Sequence, residues 1–220
     1  MPSAVLIVAS TRAHADPQEI LRIQDTVSAL LAQGRAVDLL VPRRTPLLTA
    51  ALPPAVRVFT APQFPGTDNP PARASVRRFF SAALMFFRAV ALTARRDYSV
   101  LHGIDDGAMI VRSVDRVTPR RYPYIAEIRH HFYAPGEFRG PAAAYACRLE
   151  RSTLKHAAAA ILLSRAAVES LDPRIPRARI SIIPDPGIGV DSIVADSYTL
   201  GDFQSALRKV YDYVLRPRED

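Results

Sequence analysis

Six consecutive apolar residues at Ala4–Ala9 (AVLIVA), an amphipathic helical stretch after them and a second apolar run at Ala36–Val41 constrain this chain more than any other feature. A continuous apolar run has no polar face to offer water, so the strand it forms is buried on both sides, as in a parallel sheet covered by helices. The stretch between supplies the helix. Ile20, Ile23, Val27, Leu30 and Leu31 recur at helical spacing over Asp16–Gln33, with Asp16 and Pro17 as an N-cap and first-turn pair and Gly34 as the stop. Such units join by right-handed crossovers. The alternation continues, with strands expected at 56–59, 98–102, 122–128, 159–163 and 179–183 and helices at 72–96, 105–117, 141–156 and 164–171. Proline clusters fall between these elements and no internal repeat interrupts them. The expected fold is α/β: a single doubly wound Rossmann-like domain with a seven-strand, mainly parallel sheet.

Cys147 is the one cysteine, which excludes an intrachain disulfide and a cysteine-rich metal site and suits a reducing, cytoplasmic setting. The start, MPSAVLIVAS, has no basic n-region, and its apolar run is too short for a signal peptide or a membrane span, so export is not expected. The net charge of +8 is almost all arginine, since Lys155 and Lys209 are the only lysines. Guanidinium groups suit anionic partners, although solubility alone also accounts for such a charge.

In an open parallel sheet ligands bind beyond the carboxyl ends of the strands. That rule selects Ser10, Thr11, Arg12 and His14 after the first strand, and His102, Gly103, Asp105 and Asp106 after the strand at Val100. After the strand at Ile125 it selects Glu127, Arg129, His130 and His131. Four of the five histidines fall at such ends, while His156 lies inside a helix. The segment ASTRAHADPQE holds no glycine, so the dinucleotide fingerprint is absent, as are a P-loop and a GxSxG elbow. Adjacent His130 and His131 point apart in an extended loop and no HExxH helix accompanies them, so no metal site is expected.

In order along the chain, several stretches resemble the amino-terminal, acceptor-side domain of a retaining, family-4-type GT-B glycosyltransferase. They are VLIVAS with DPQEILRIQDTVSALLAQGRAVDLLVP, then YSVLHGID, YIAEIRHHF, Glu150 through AAAAILLS, and ISIIPDPGIGVDS, which is similar to the hinge into the family's second domain. The match runs over residues 4 to 191. It departs from the family at ASTRAHAD, which replaces a Gly-Gly loop, at Asp185 in place of the hinge asparagine, and at the extra Pro186. A donor domain would carry Glu-x7-Glu, yet no two of Glu19, Glu127, Glu137, Glu150, Glu169 and Glu219 stand eight apart. DFQSALRKVYDYVL at 202–215 resembles the family's return helix, with Phe203, Leu207, Val210, Tyr211 and Val214 on one stripe. The implied organisation is a Rossmann-like acceptor-side domain at 1–191, a linker at 192–201 in place of a donor domain removed in nature or by design, and a helix at 202–216 packing back on the same domain.

The resemblance implies the acceptor-binding half of an enzyme that moves a sugar from a nucleotide-sugar donor to a glycan or lipid-linked acceptor. His130 would face the donor sugar, with His131 as its alternate, and Arg12, His14, His102, Asp105, Asp106 and Arg129 would line the acceptor side. No cofactor is expected in this chain, because the nucleotide sugar belongs to the second domain. A separate donor-domain chain is then an expected partner, and the chain alone is expected to be inactive. The alternative is a non-catalytic binding or scaffolding module of the same ancestry, and a flavodoxin-like nucleotide-binding domain rests on fold analogy alone. Nucleic acid is not an expected partner, since no recognition motif accompanies the charge.

A peripheral contact with anionic membrane is the remaining expectation. On a helical wheel of 76–96, Val76, Phe79, Phe80, Ala83, Phe86, Phe87 and Val90 make a core face. Met85 and Leu92 share the opposite face with Arg77, Arg78, Arg88, Arg95 and Arg96. Two such side chains offer little area for insertion, and a core helix with a solvated basic face fits the pattern as well.

Overall fold

The computed structural model describes residues 4–10, 17–43, 52–62, 71–129, 141–185 and 198–216, without the side chains of 71–79, 141–143 and 146. The strands are β1 (Ala4–Ala9), β2 (Ala36–Pro42), β3 (Arg57–Ala61), β4 (Tyr98–Ile104), β5 (Tyr124–Ile128), β6 (Ala159–Leu162) and β7 (Ile180–Ile182). The helices are α1 (Pro17–Ala32), α2 (Pro71–Arg95), α3 (Asp106–Val117), α4 (Pro141–His156), α5 (Arg165–Glu169) and α6 (Leu200–Leu215). All seven strands pair in parallel in the order β3-β2-β1-β4-β5-β6-β7. The chain winds outward from β1 in one direction, returns, and continues from β4 in the other. The switch between β1 and β4 opens a crevice at the carboxyl ends of those strands.

Alternation along β1 builds two cores. Leu6 and Val8 face a layer that includes Met85, Ala89 and Leu92 of α2, Val111 and Val114 of α3, and Leu154 of α4. Val5, Ile7 and Ala9 face the other layer, with Ile23, Val27 and Leu30 of α1 and Phe203, Leu207, Val210 and Tyr211 of α6. Helix α6 begins two residues before the expected start. Its capping box has Asp202 N–H donating to Thr199 Oγ1 at 3.2 Å and Thr199 N–H donating to Asp202 Oδ2 at 2.9 Å. Residues 183–199 alone separate β7 from α6, far fewer than a second α/β domain requires.

The wheel of α2 is turned relative to the sequence expectation. Met85 and Leu92 are 2% and 5% exposed and belong to the core, whereas Phe80 and Phe87 are 51% and 65% exposed. Polar anchors at its carboxyl end account for the phase. Arg96 donates to the buried Asp38 at 2.5 Å, and the Tyr122 hydroxyl donates to the Thr93 carbonyl at 3.2 Å. Asp38 also accepts from the Tyr98 hydroxyl at 2.7 Å and from Arg57 at 3.1 Å, tying β2, β3, β4 and the end of α2 together. With Tyr98, Tyr122 and Tyr124 already filling that layer, α2 meets it through Ala82, Met85, Ala89 and Leu92, and two phenylalanines are left outside.

Candidate functional site: a buried charge network at the crevice

Three residues that the strand-end rule selects occupy the sheet face beneath α1 and α6, or its rim. Glu127 of β5 and His102 of β4 are fully buried, and a charge there persists only with partners. Arg22 of α1, 1% exposed, supplies one. Its Nε donates to Glu127 Oε1 at 2.9 Å, Nη1 to the Pro184 carbonyl at 3.0 Å and Nη2 to the Ile183 carbonyl at 3.2 Å. Its Nη1 also lies 3.3 Å from Asp185 Oδ1, and the guanidinium carbon stands 4.3 Å from the centre of the Phe203 ring. One side chain of α1 thus holds β5, the segment that leaves β7, and α6.

On the other side of the carboxylate, His102 Nε2 lies 3.2 Å from Glu127 Oε2, and Nδ1 is 2.7 Å from the Tyr211 hydroxyl. The carboxylate favours the ring proton on Nε2, so Nδ1 accepts from the Tyr211 O–H. Burial alone would raise the Glu127 carboxyl. The Arg22 and His102 contacts outweigh it and hold the group down at about 2. Burial pushes the Tyr211 phenol well above its ordinary value, which keeps it a donor.

Folded Glu127 therefore binds a proton less readily than unfolded Glu127. Its contribution is fully present above about pH 4.5 and is lost as pH falls toward 2, a span of roughly 3 kcal/mol. Unfolding by urea from pH 6 to pH 2 is expected to show that acid limb, with Glu127→Gln flattening it. An equally steep limb in the variant would assign the loss to other carboxylates.

At the rim, Arg129 follows β5 with its side chain 5% exposed. Its Nη2 donates to Asp185 Oδ2 at 3.0 Å and its backbone N–H to Asp105 Oδ1 at 2.8 Å. Burial disfavours the Arg129 charge, but Asp185, Asp105 and Glu127 raise its pKa on balance. Among the described residues its Nε and Nη1 have no hydrogen-bond partner. Asp105 has a φ of 53°, which a non-glycine residue adopts only under constraint. Its N–H donates to the Glu127 carbonyl at 2.8 Å, and its carbonyl accepts from Ala108 N–H at 2.9 Å. Asp106 opens α3, and Gly107 behind it packs so closely on β1 that a Cβ would lie 1.9 Å from the Val8 carbonyl oxygen. Only glycine lets the start of α3 reach the end of β1.

Of the site residues expected from sequence, Asp105 and Arg129 meet directly, Asp106 is the first residue of α3 and His102 is held by Glu127 and Tyr211. Arg12, His14, His130 and His131 lie outside the described residues. His102 stands inside the domain, engaged by Glu127 and Tyr211, rather than on an open wall. Arg22, Asp185 and Tyr211 as polar partners were not selected from sequence. A glutamate and a histidine inside strands with no water-facing side, in YIAEI and YSVLHGI, are the signal that would have called for a buried cation and a hydroxyl nearby.

No curated protein matches the chain in sequence. Among solved structures it resembles sucrose-phosphate synthase from Thermosynechococcus elongatus, at 16% identity and a TM-score of 0.61, over 84% of this chain and 48% of that one. A form of the same synthase whose name carries the numbers 27, 220, 406 and 426 aligns at 14% identity and a TM-score of 0.58, over 96% of this chain and 99% of that one. UGT89C1 of Arabidopsis thaliana complexed with UDP aligns at 14% identity and 0.57, over 83% and 49%. At these identities the likeness is one of fold, and except against the short synthase form the chain spans about half the length of these structures. The description "Glycosyl transferase 4-like domain" matches residues 21–186, which hold most of α1, all of β5 and the Arg22, His102, Glu127, Arg129 and Asp185 cluster. On that match and that sheet, the chain belongs to the glycosyl transferase 4-like domain family and is a Rossmann-like half of a GT-B fold.

Proposed function

We propose that the chain is the acceptor-side half of a glycosyltransferase that acts with a donor-binding domain on another chain, moving a sugar from a nucleotide sugar to a glycan or lipid-linked acceptor. The family match over residues 21–186 carries this reading. Two further points support it. This chain aligns nearly end to end with the short form of sucrose-phosphate synthase, over 96% of this chain and 99% of that one. The segment at 183–185, where the resemblance places the hinge, is pinned by Arg22 against α6 and β5, so this half keeps a fixed shape without a second domain between β7 and α6.

Chemically, the Arg129 guanidinium stands at the end of β5 beside Asp105, paired with Asp185, and a guanidinium at a strand end is the group to hold an acceptor oxygen or phosphate. His130, next in the chain, is the residue to hydrogen-bond the sugar or share developing charge, with His131 as its alternate.

Neither this chain nor a separate Glu-x7-Glu domain is expected to transfer a sugar alone, whereas their mixture, given a UDP-sugar and an acceptor extract, is expected to do so. In that mixture His130→Ala is expected to lower turnover by about 100-fold or more with the melting curve unchanged. Transfer by this chain alone, or tight UDP binding by it, would overturn the reading. A second reading, a non-catalytic binding module, is favoured by the burial of His102 and the pairing of Arg129 with Asp185. It predicts a His130→Ala protein that still binds its partner chain, in a complex that turns over nothing.

A further inference from the structure

We propose that the outer face of helix α2 docks the chain on an anionic membrane. The observation is the turned wheel. Phe80 and Phe87 are 51% and 65% exposed, two helical turns apart on one side. Leu84 and Ala91 lie on the same side and are partly exposed, so the four residues form one apolar stripe. Exposed Arg88 and Arg95 flank it, and no acidic residue occurs in the 25 residues of the helix, which hold five arginines.

The stripe is held in place rather than loosely displayed. Phe86 packs on the core and meets the Phe87 ring edge-on with centroids 5.3 Å apart, while the Arg88 guanidinium carbon stands 6.0 Å from the centre of the Phe59 ring. Burial would have been the default for two phenylalanines. Left outside on an all-cationic helix, they match the two halves of an interfacial contact: aromatic rings that enter the acyl boundary and guanidinium groups that meet lipid phosphates.

Lipid fits better than a protein partner on two grounds. A narrow stripe one residue wide gives far less area than a stable protein interface, which buries about 800 Å² per partner. The helix also brings no acid to answer the mixed charges of a protein rim. Among the described residues no helix is long and apolar enough to cross a membrane, so the contact would lie on the surface. The inference holds whether or not the chain takes part in glycosyl transfer.

The test is co-sedimentation of the full chain with vesicles of phosphatidylcholine alone and of phosphatidylcholine mixed with phosphatidylglycerol, at low and high salt. Binding is expected on the anionic vesicles only, and loss of it at high salt. Each arginine near an anionic surface is worth about fivefold in partitioning, so the double variant Arg88→Gln/Arg95→Gln is expected to bind about 25-fold less. Phe80→Ser/Phe87→Ser is expected to lose about 10-fold or more. Both pairs are exposed, and unchanged circular dichroism and melting would show that the variants stay folded. Equal binding to both vesicle types, no binding to either, or full binding by the phenylalanine variant would overturn the proposal. So would a concentration-dependent dimer in light scattering that the phenylalanine variant abolishes, which would give the face to a second copy of the chain.

Discussion

Ended at Asp191, the chain is expected not to fold cooperatively. Helix α6 lays Phe203, Leu207, Val210 and Tyr211 onto the sheet, each at most 4% exposed. Burying four such side chains contributes roughly 6–12 kcal/mol, which is as large as the whole stability of a typical domain. The loss goes beyond apolar area. Without α6 the ring beneath the Arg22 guanidinium and the hydroxyl on His102 Nδ1 are gone, so Glu127 and its partners meet water on the side the helix had closed. Thermal melting followed by circular dichroism and by tyrosine fluorescence is the measurement. A truncated chain with the same Tm as the intact one would show that α6 is an appendage and not part of the core.

Glu127→Ala is the second large effect, expected at about 3–5 kcal/mol of destabilisation. The size comes from what remains. Arg22 keeps its charge at 1% exposure with no carboxylate on its Nε, and His102 loses the group beside Nε2. Removing the charge from both ends is expected to cost less than the sum of its parts. In the cycle of Glu127→Leu, Arg22→Met and the double variant, the double is expected to be more stable than either single, because no buried charge is left alone. Strict additivity, read from urea midpoints at pH 7, would mean that the two groups do not act as a pair. The network's larger part is one of register: Arg22 binds the carbonyls of 183 and 184 and leans on Phe203 at once, so α1, the end of β7 and α6 take one arrangement.

These two predictions rest on residues of unequal visibility. The stripe at 203, 207, 210 and 211 can be read along the chain, since helical spacing puts its members on one face whatever they pack against. Glu127 and His102 can be read only as charges in the wrong place. Their partners come from α1 and α6, 105 residues before Glu127 and 109 residues after His102, and no periodicity links such distances. Arg22 is harder still, because it lies beside the main apolar line of α1 and resembles an ordinary surface arginine.

Local pattern alone determined the strand and helix alternation, the parallel seven-strand sheet and the position of Asp105 and Arg129 just past the ends of β4 and β5. These follow from each residue's position in its own element, a period of 2.0 or 3.6 that neighbours along the chain already contain. Tertiary structure decided which way α2 faces and what surrounds His102. A helix rich in phenylalanine has more than one apolar side, and the Arg96–Asp38 and Tyr122–Thr93 contacts, with the packing of Met85, Ala89 and Leu92 on the core, go with the side that is buried. His102 was expected at the crevice by its place at the end of β4, and its side chain instead lies beneath α6, because Tyr211 and Glu127 meet it there. Sequence spacing settles which residues share an element. The rotation of that element, and the partner each polar group finds, are set by distant segments competing for the same buried volume.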